Sequence, residues 1–106
     1  MGGRHAYVTP AGEYATPTHA AVNVTTTSAV VKAANNDRKY LLLINDSDTV
    51  IYLKLGVAAV LNEGIRLNAN GSSYEISESK GDLYTGAIYG IHGGSGNKVL
   101  LITEGA

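Results

Sequence analysis

The stretch KYLLLINDSDTVIYLKL, residues Lys39 to Leu55, decides the fold. Its first half, Lys39 to Asn45, is apolar at every position between a Lys-Tyr opening and a closing Asn, so both faces of a strand built from it would be apolar. That is the signature of a strand that is central in its sheet or covered by another subunit. Its second half, Thr49 to Leu55, alternates. Ile51, Leu53 and Leu55 share one face, and Val50, Tyr52 and Lys54 share the other. Between the halves, Asp46-Ser47-Asp48 supplies short oxygen-bearing side chains that bond to nearby backbone and favour a turn. The expectation is a tight hairpin of two β-strands.

Outward from this pair, the same grammar repeats at short spacing. Upstream, Ala21 to Thr25 alternates through Val22 and Val24, Ala29 to Ala33 is a short β-branched run, and Asn35-Asn36-Asp37 is a turn. Downstream, Gly56 and Asn62-Glu63-Gly64 bracket a loop before Ile65 to Asn68. Asn70-Gly71 is the strongest hairpin signal in the chain, because a type I′ turn needs positive φ at both central residues. Ser73 to Ser77 places Tyr74 and Ile76 inward, Lys80-Gly81-Asp82 turns, and Leu83 to Ile91 reads as a long strand. A glycine loop from Gly93 to Asn97 leads into a last strand, Lys98 to Thr103. Val57 to Leu61 has helical propensity but is too short and is closed in by glycines. About eight short strands without a helix predict an all-β protein, a single jelly-roll-like β-sandwich.

Residues 1–19 break the pattern. They hold both prolines of the chain, Pro10 and Pro17, with scattered Gly, Thr and Ala, and show neither period. They read as an extended N-terminal arm, flexible when alone, attached to a body spanning residues 20–106.

Composition narrows the function. A chain of 106 residues holds one core and buries roughly 65% of its unfolded surface. With no Trp and no Phe, its seven tyrosines are the only large aromatic anchors, and such side chains suit sheet faces and subunit interfaces. A net charge of −1 offers no basic stripe for nucleic acid, so no nucleic-acid partner is expected. Absent cysteine removes disulfides, thiolate zinc sites and a cysteine nucleophile. The longest apolar run is far short of the roughly 20 residues of a bilayer span, and the N-terminus lacks an apolar signal region. The expectation is a soluble protein, with no membrane partner, that stays in the compartment where it is made.

No group of residues reads as catalytic, metal-binding or cofactor-binding. His5, His19 and His92 share no ligand spacing and read as exposed loop residues. Asn45-Asp46-Ser47-Asp48 has the outline of a calcium loop but lacks its glycine and distal glutamate, so a turn explains it. Gly90 to Gly96 is glycine-rich, yet a strand follows where a phosphate cradle needs a helix N-terminus. Glu75 and Glu78 read as surface carboxylates. Neither a cofactor nor a small-molecule substrate is expected, and the protein reads as a non-enzyme. Arg38, opening the most apolar strand, could pair with Glu104, sit at a subunit contact, or be a solvated strand-end cation.

The successive strings NNDRKYLLLINDSDTVIYLKLG, AVLNEGIRLNANGSSYEI, LYTGAIYGIHG and LLITEG, covering residues 22–105, resemble small virion proteins of tailed bacteriophages, in particular the head decoration or cement proteins. The resemblance implies a jelly-roll or sandwich fold and a homotrimer. The partner it implies is the major capsid protein, clamped at the junctions of its subunits on the capsid surface of a virion assembled in the host cytoplasm. It carries no catalytic residues. Similar modules occur in phage tails, necks and fibres, where they bind another virion protein or a host surface glycan, and exposed tyrosines such as Tyr84 and Tyr89 would serve that second role. On the first reading, the arm residues Arg4, Tyr7, Val8, Pro10, Tyr14 and Pro17 lie against a neighbour, where proline-stiffened segments lose less entropy on ordering. Arg38, Tyr40, Leu41, Leu43 and Tyr52 are the candidate subunit contacts.

Overall fold

The computed structural model describes residues 13–106. Eight strands form in chain order: β1 (Pro17–Val24), β2 (Ala29–Lys32), β3 (Tyr40–Asn45), β4 (Ile51–Leu55), β5 (Ile65–Leu67), β6 (Ser73–Ser77), β7 (Ile88–His92) and β8 (Lys98–Gly105). They make two four-stranded antiparallel sheets, of order β1-β8-β3-β6 and β2-β7-β4-β5. Among consecutive strands only β4 and β5 are neighbours in one sheet; every other connection crosses from one sheet to the other. This interleaving is the jelly roll, as expected from the spacing of strands and turns.

Alternation fixes which side chains face inward. Along β3 the buried positions are Leu41, Leu43 and Asn45, while Tyr40, Leu42 and Ile44 are half-buried on the outer face. In β4 the inward residues are Ile51 and Leu53, in β7 Ile88 and His92, and in β8 Leu100, Ile102 and Glu104. These close on Val24, Val31, Leu67 and Ile76 to make one core between the sheets. A strand apolar on both faces is thus accounted for within one subunit: the second sheet covers one face, and flanking side chains half-cover the other.

Two turns are not the hairpins their chemistry suggests. Asp46-Ser47-Asp48 links β3 to β4, which lie in different sheets, so it is a sandwich corner. Asn45 holds this corner from inside. Its Nδ2 donates to the carbonyls of Thr49 (2.8 Å) and Leu67 (3.0 Å), and its Oδ1 accepts from Ser47 Oγ (2.7 Å). Asn70 and Gly71 do take positive φ, 63° and 111°, as their sequence predicts, but they join β5 to β6 across the sheets. The Gly93 to Asn97 loop is likewise a crossing, from β7 to β8. The predicted strand from Leu83 shortens to Ile88–His92. Its first part is drawn out of the ladder where Tyr84 and Gly86 turn their carbonyls to Arg38.

The body begins earlier than the composition suggests. Pro17, Thr18 and His19 belong to β1, paired with Gly105, Glu104 and Thr103 of β8. Pro17 fits because a sheet edge tolerates a residue with no N–H to donate. Arg4, Tyr7, Val8 and Pro10 lie outside the described residues, as does His5.

Candidate functional site

The most polar feature of the interior is a buried ion cluster at one end of the sandwich. Arg38 is only 1% exposed. Its Nε donates to Glu104 Oε2 at 2.7 Å, one terminal nitrogen donates to the carbonyls of Tyr84 (2.8 Å) and Gly86 (3.0 Å), and the other to that of Ala33 (2.7 Å). Lys32 reaches the second oxygen of Glu104 at 2.9 Å. Burial pushes the Glu104 carboxyl up. The hydrogen bonds and charges of Arg38 and Lys32 outweigh that, so it titrates below the ordinary carboxylate value. Of the readings of Arg38 open in the sequence, pairing with Glu104 is the one realised. Its burial excludes a solvated cation, and a guanidinium fully engaged by its own chain's carbonyls is no subunit contact.

His92 differs from the exposed loop residue its glycine-rich neighbourhood suggests. It is fully buried on β7; its Nε2 lies 2.7 Å from the Gly96 carbonyl and its Nδ1 accepts from the Gly94 N–H at 3.0 Å. A ring donating at Nε2 and accepting at Nδ1 is neutral and engaged at both nitrogens. The imidazole therefore ties down the glycine loop from both sides. The inward alternation of Ile88, Gly90 and His92 was the available signal. His19 is exposed on β1, 3.0 Å from Thr103 Oγ1. Among the described residues no group of three acidic, His or Cys side chains could hold a metal.

Two outer surfaces remain. On the β1-β8-β3-β6 sheet, Tyr14 stacks on Tyr40 with ring centroids 5.4 Å apart, and Tyr40 Oη donates to Glu75 at 2.6 Å. That bond to a carboxylate, reinforced by burial, pushes the Tyr40 phenol up to about 12. The backbone beside Tyr14 is tied down, since the N–H groups of Ala15 and Thr16 both donate to the Ala106 carbonyl. Gly105 lies directly beneath the Tyr14 ring, where any Cβ would collide with it. Further along the same face His19, Ala21, Ile44, Leu101 and Thr103 line a shallow apolar groove of about 400 Å³. Leu101 is among the exposed large hydrophobic residues.

The other sheet carries a hollow of about 460 Å³ between Thr49, Tyr52, Leu61, Asn62 and Gly94. Tyr52 is its floor, with Oη donating to Asn62 Oδ1 (2.8 Å) and the Arg66 guanidinium 5.8 Å above its ring. Of the candidate contacts read from sequence, Tyr40 faces outward and Tyr52 is mostly covered. Leu41 and Leu43 are core residues closed over by the opposite sheet. The outward residues of that strand, Leu42 and Ile44, are the ones sequence reasoning passed over. Tyr84 and Tyr89 are half-buried, and Tyr84 packs against the core.

The class this architecture defines is the eight-stranded jelly-roll sandwich. No protein-family model and no curated protein matches the sequence. A solved structure of a Bacillus endospore appendage, one of a novel family of disulfide-linked pili, is similar at a TM-score of 0.51 and 11% identity, covering 97% of this chain and 98% of that one. At that identity the likeness is one of fold.

Proposed function

We propose that this chain is a structural protein of a large assembly, and specifically a decoration protein of a tailed-phage head. The observation that carries the reading is the anchored root of the arm. Tyr14 is stacked on Tyr40 above Gly105, and Ala15 and Thr16 are tied to Ala106, so the point where the arm joins the body is fixed on an outer sheet face. A rigid body with a rooted arm is suited to clamping a neighbour. The buried Arg38, Glu104, Asn45 and His92 are all engaged by the chain's own backbone and side chains, which leaves them to hold the fold together.

The resemblance of residues 22–105 to head decoration proteins supports the choice of partner, the major capsid protein. A contact with that partner needs an outer face, and Leu42 and Ile44 are available there in place of Leu41 and Leu43. A second reading, a subunit of a self-assembling filament, is favoured by the end-to-end match with the pilus structure. The disulfide linkage of those pili is closed to this chain, which has no cysteine.

The test is co-sedimentation with phage heads lacking the protein, using the full chain and a deletion of residues 2–12 that spares Tyr14 and β1. The full chain is expected to pellet with heads. The deletion is expected to keep its melting temperature and lose most of the binding. A full chain that stays in the supernatant would sink the decoration reading, and regular fibres in electron micrographs of the chain alone would favour the filament.

A further inference from the structure

We infer that β1 is a self-pairing edge, joining two copies of this chain across a twofold axis into one continuous eight-stranded sheet. The inference goes beyond the proposed place in an assembly and does not depend on the capsid partner.

The hydrogen-bond parity of the edge can be read directly. Thr16 and Ala106 exchange both N–H···O bonds, at 3.0 and 3.1 Å. In the antiparallel register with β8, the bonded positions of β1 are then Thr18, Ala20, Val22 and Val24. Pro17, His19, Ala21 and Asn23 turn their backbone groups away from β8. No backbone partner for these groups occurs among the described residues. Proline stands at an outward position, where its missing N–H breaks no bond to β8 and leaves only its carbonyl to accept from a second copy.

Chemistry at this edge is permissive where the other edges are guarded. Soluble proteins protect sheet edges with charges, prolines, bulges or short strands, and of these β1 has only Pro17, at its first residue. β6 carries Glu75 with Glu78, Lys80 and Asp82 close behind; β2 has four residues, a register break and Lys32; β5 has three residues and Arg66. β1 is eight residues long, and from Tyr14 to Val31 the sequence contains no Asp, Glu, Lys or Arg. The apolar groove at Ala21, Ile44 and Leu101 opens beside the same edge, so a second copy would extend the covered apolar surface beyond the strand itself.

The sequence of β1 also fits its own reverse. With Ala20 on the axis, all four outward residues find outward partners: His19 faces Ala21 of the second copy, and Pro17 faces Asn23 of the second copy. Alanine at the axis lets the strands approach, and no like charges meet. Such an isologous contact closes on itself and ends at a dimer.

The experiment is sedimentation equilibrium of the full chain from about 1 µM to about 1 mM, with three variants at exposed β1 positions. The wild type is expected to move from monomer to dimer mass. Ala21→Lys puts a gatekeeper charge on the edge and is expected to weaken the dimer about tenfold or more, with its circular dichroism melt unchanged. The double variant His19→Asp/Ala21→Lys sets opposite charges face to face twice across the axis and is expected to recover most of the affinity. Ala21→Lys/Asn23→Asp, which pairs charges only in a shifted register, is expected to stay weak. A wild type monomeric at every concentration, an association that Ala21→Lys leaves untouched, or a His19→Asp/Ala21→Lys variant no tighter than Ala21→Lys alone would each overturn the inference.

Discussion

Replacing Arg38 by alanine is expected to destabilise the fold by about 3–5 kcal/mol, the range for breaking a buried ion pair by removing one partner. The substitution removes more than a charge. The carbonyls of Ala33, Tyr84 and Gly86 each lose a donor inside the body, and Glu104 is left with Lys32 alone. Against the roughly 5–15 kcal/mol stability of an ordinary domain, that loss takes a large share. Arg38→Lys is expected to recover only part, because an ammonium cannot supply the planar fork that reaches a carboxylate and three carbonyls together. Urea unfolding of the three proteins at pH 7 measures this directly, and a loss below about 1 kcal/mol for alanine would contradict the geometry.

The same cluster sets an acid dependence. Glu104 titrates lower in the folded chain than its ordinary 4.5. A carboxyl whose folded pKa is depressed contributes stability in full above its unfolded pKa, and loses it as the pH falls through the folded one. Unfolding curves between pH 6 and pH 2 should therefore show wild-type stability falling below about pH 4.5 more steeply than that of Glu104→Gln, which has no proton to take up there. Parallel slopes would show that the pair with Arg38 does not stabilise the ionised form.

Much of this fold is legible in the sequence because a strand's alternation and a turn's residue chemistry are local properties. Ser73–Ser77 and the positive φ of Asn70 and Gly71 follow from neighbours alone. What a turn connects is not local. Asp46-Ser47-Asp48 offers the same side-chain bonds to a hairpin and to a sandwich corner. The decision is made by Asn45 reaching the Leu67 carbonyl, a contact 22 residues away in sequence. Burial of polar residues hides for the same reason. Nothing near Arg38 announces that Ala33, Tyr84, Gly86 and Glu104 will converge on it, and only the inward parity of Glu104 on the last strand makes their pairing readable. In the surface regions, sequence shows that Leu41 to Ile44 is apolar throughout, but the pleat alone decides which half of that run is core.

That parity gives the sharpest contrast available within one strand. Leu43→Asp is expected to abolish folding. Leu43 is fully buried among core residues of both sheets, so the substitution forfeits about 2–5 kcal/mol of packing and strands an unpaired carboxylate with no donor nearby. Together these exceed the stability of most small domains. Leu42→Asp, one residue earlier on the outer face and opposite Glu75 and Thr103 in the ladder, is expected to remain folded with a loss near ~1 kcal/mol, from reduced packing and a carboxylate facing Glu75. Near-native circular dichroism and a cooperative melt for Leu42→Asp, beside an unfolded Leu43→Asp, would show that the apolar run serves its own core through one face only. Any association defect in Leu42→Asp could then be assigned to the outer surface. Were Leu43→Asp to fold and Leu42→Asp to collapse, the strand would be turned over and the interior assigned to β3 would be its exterior.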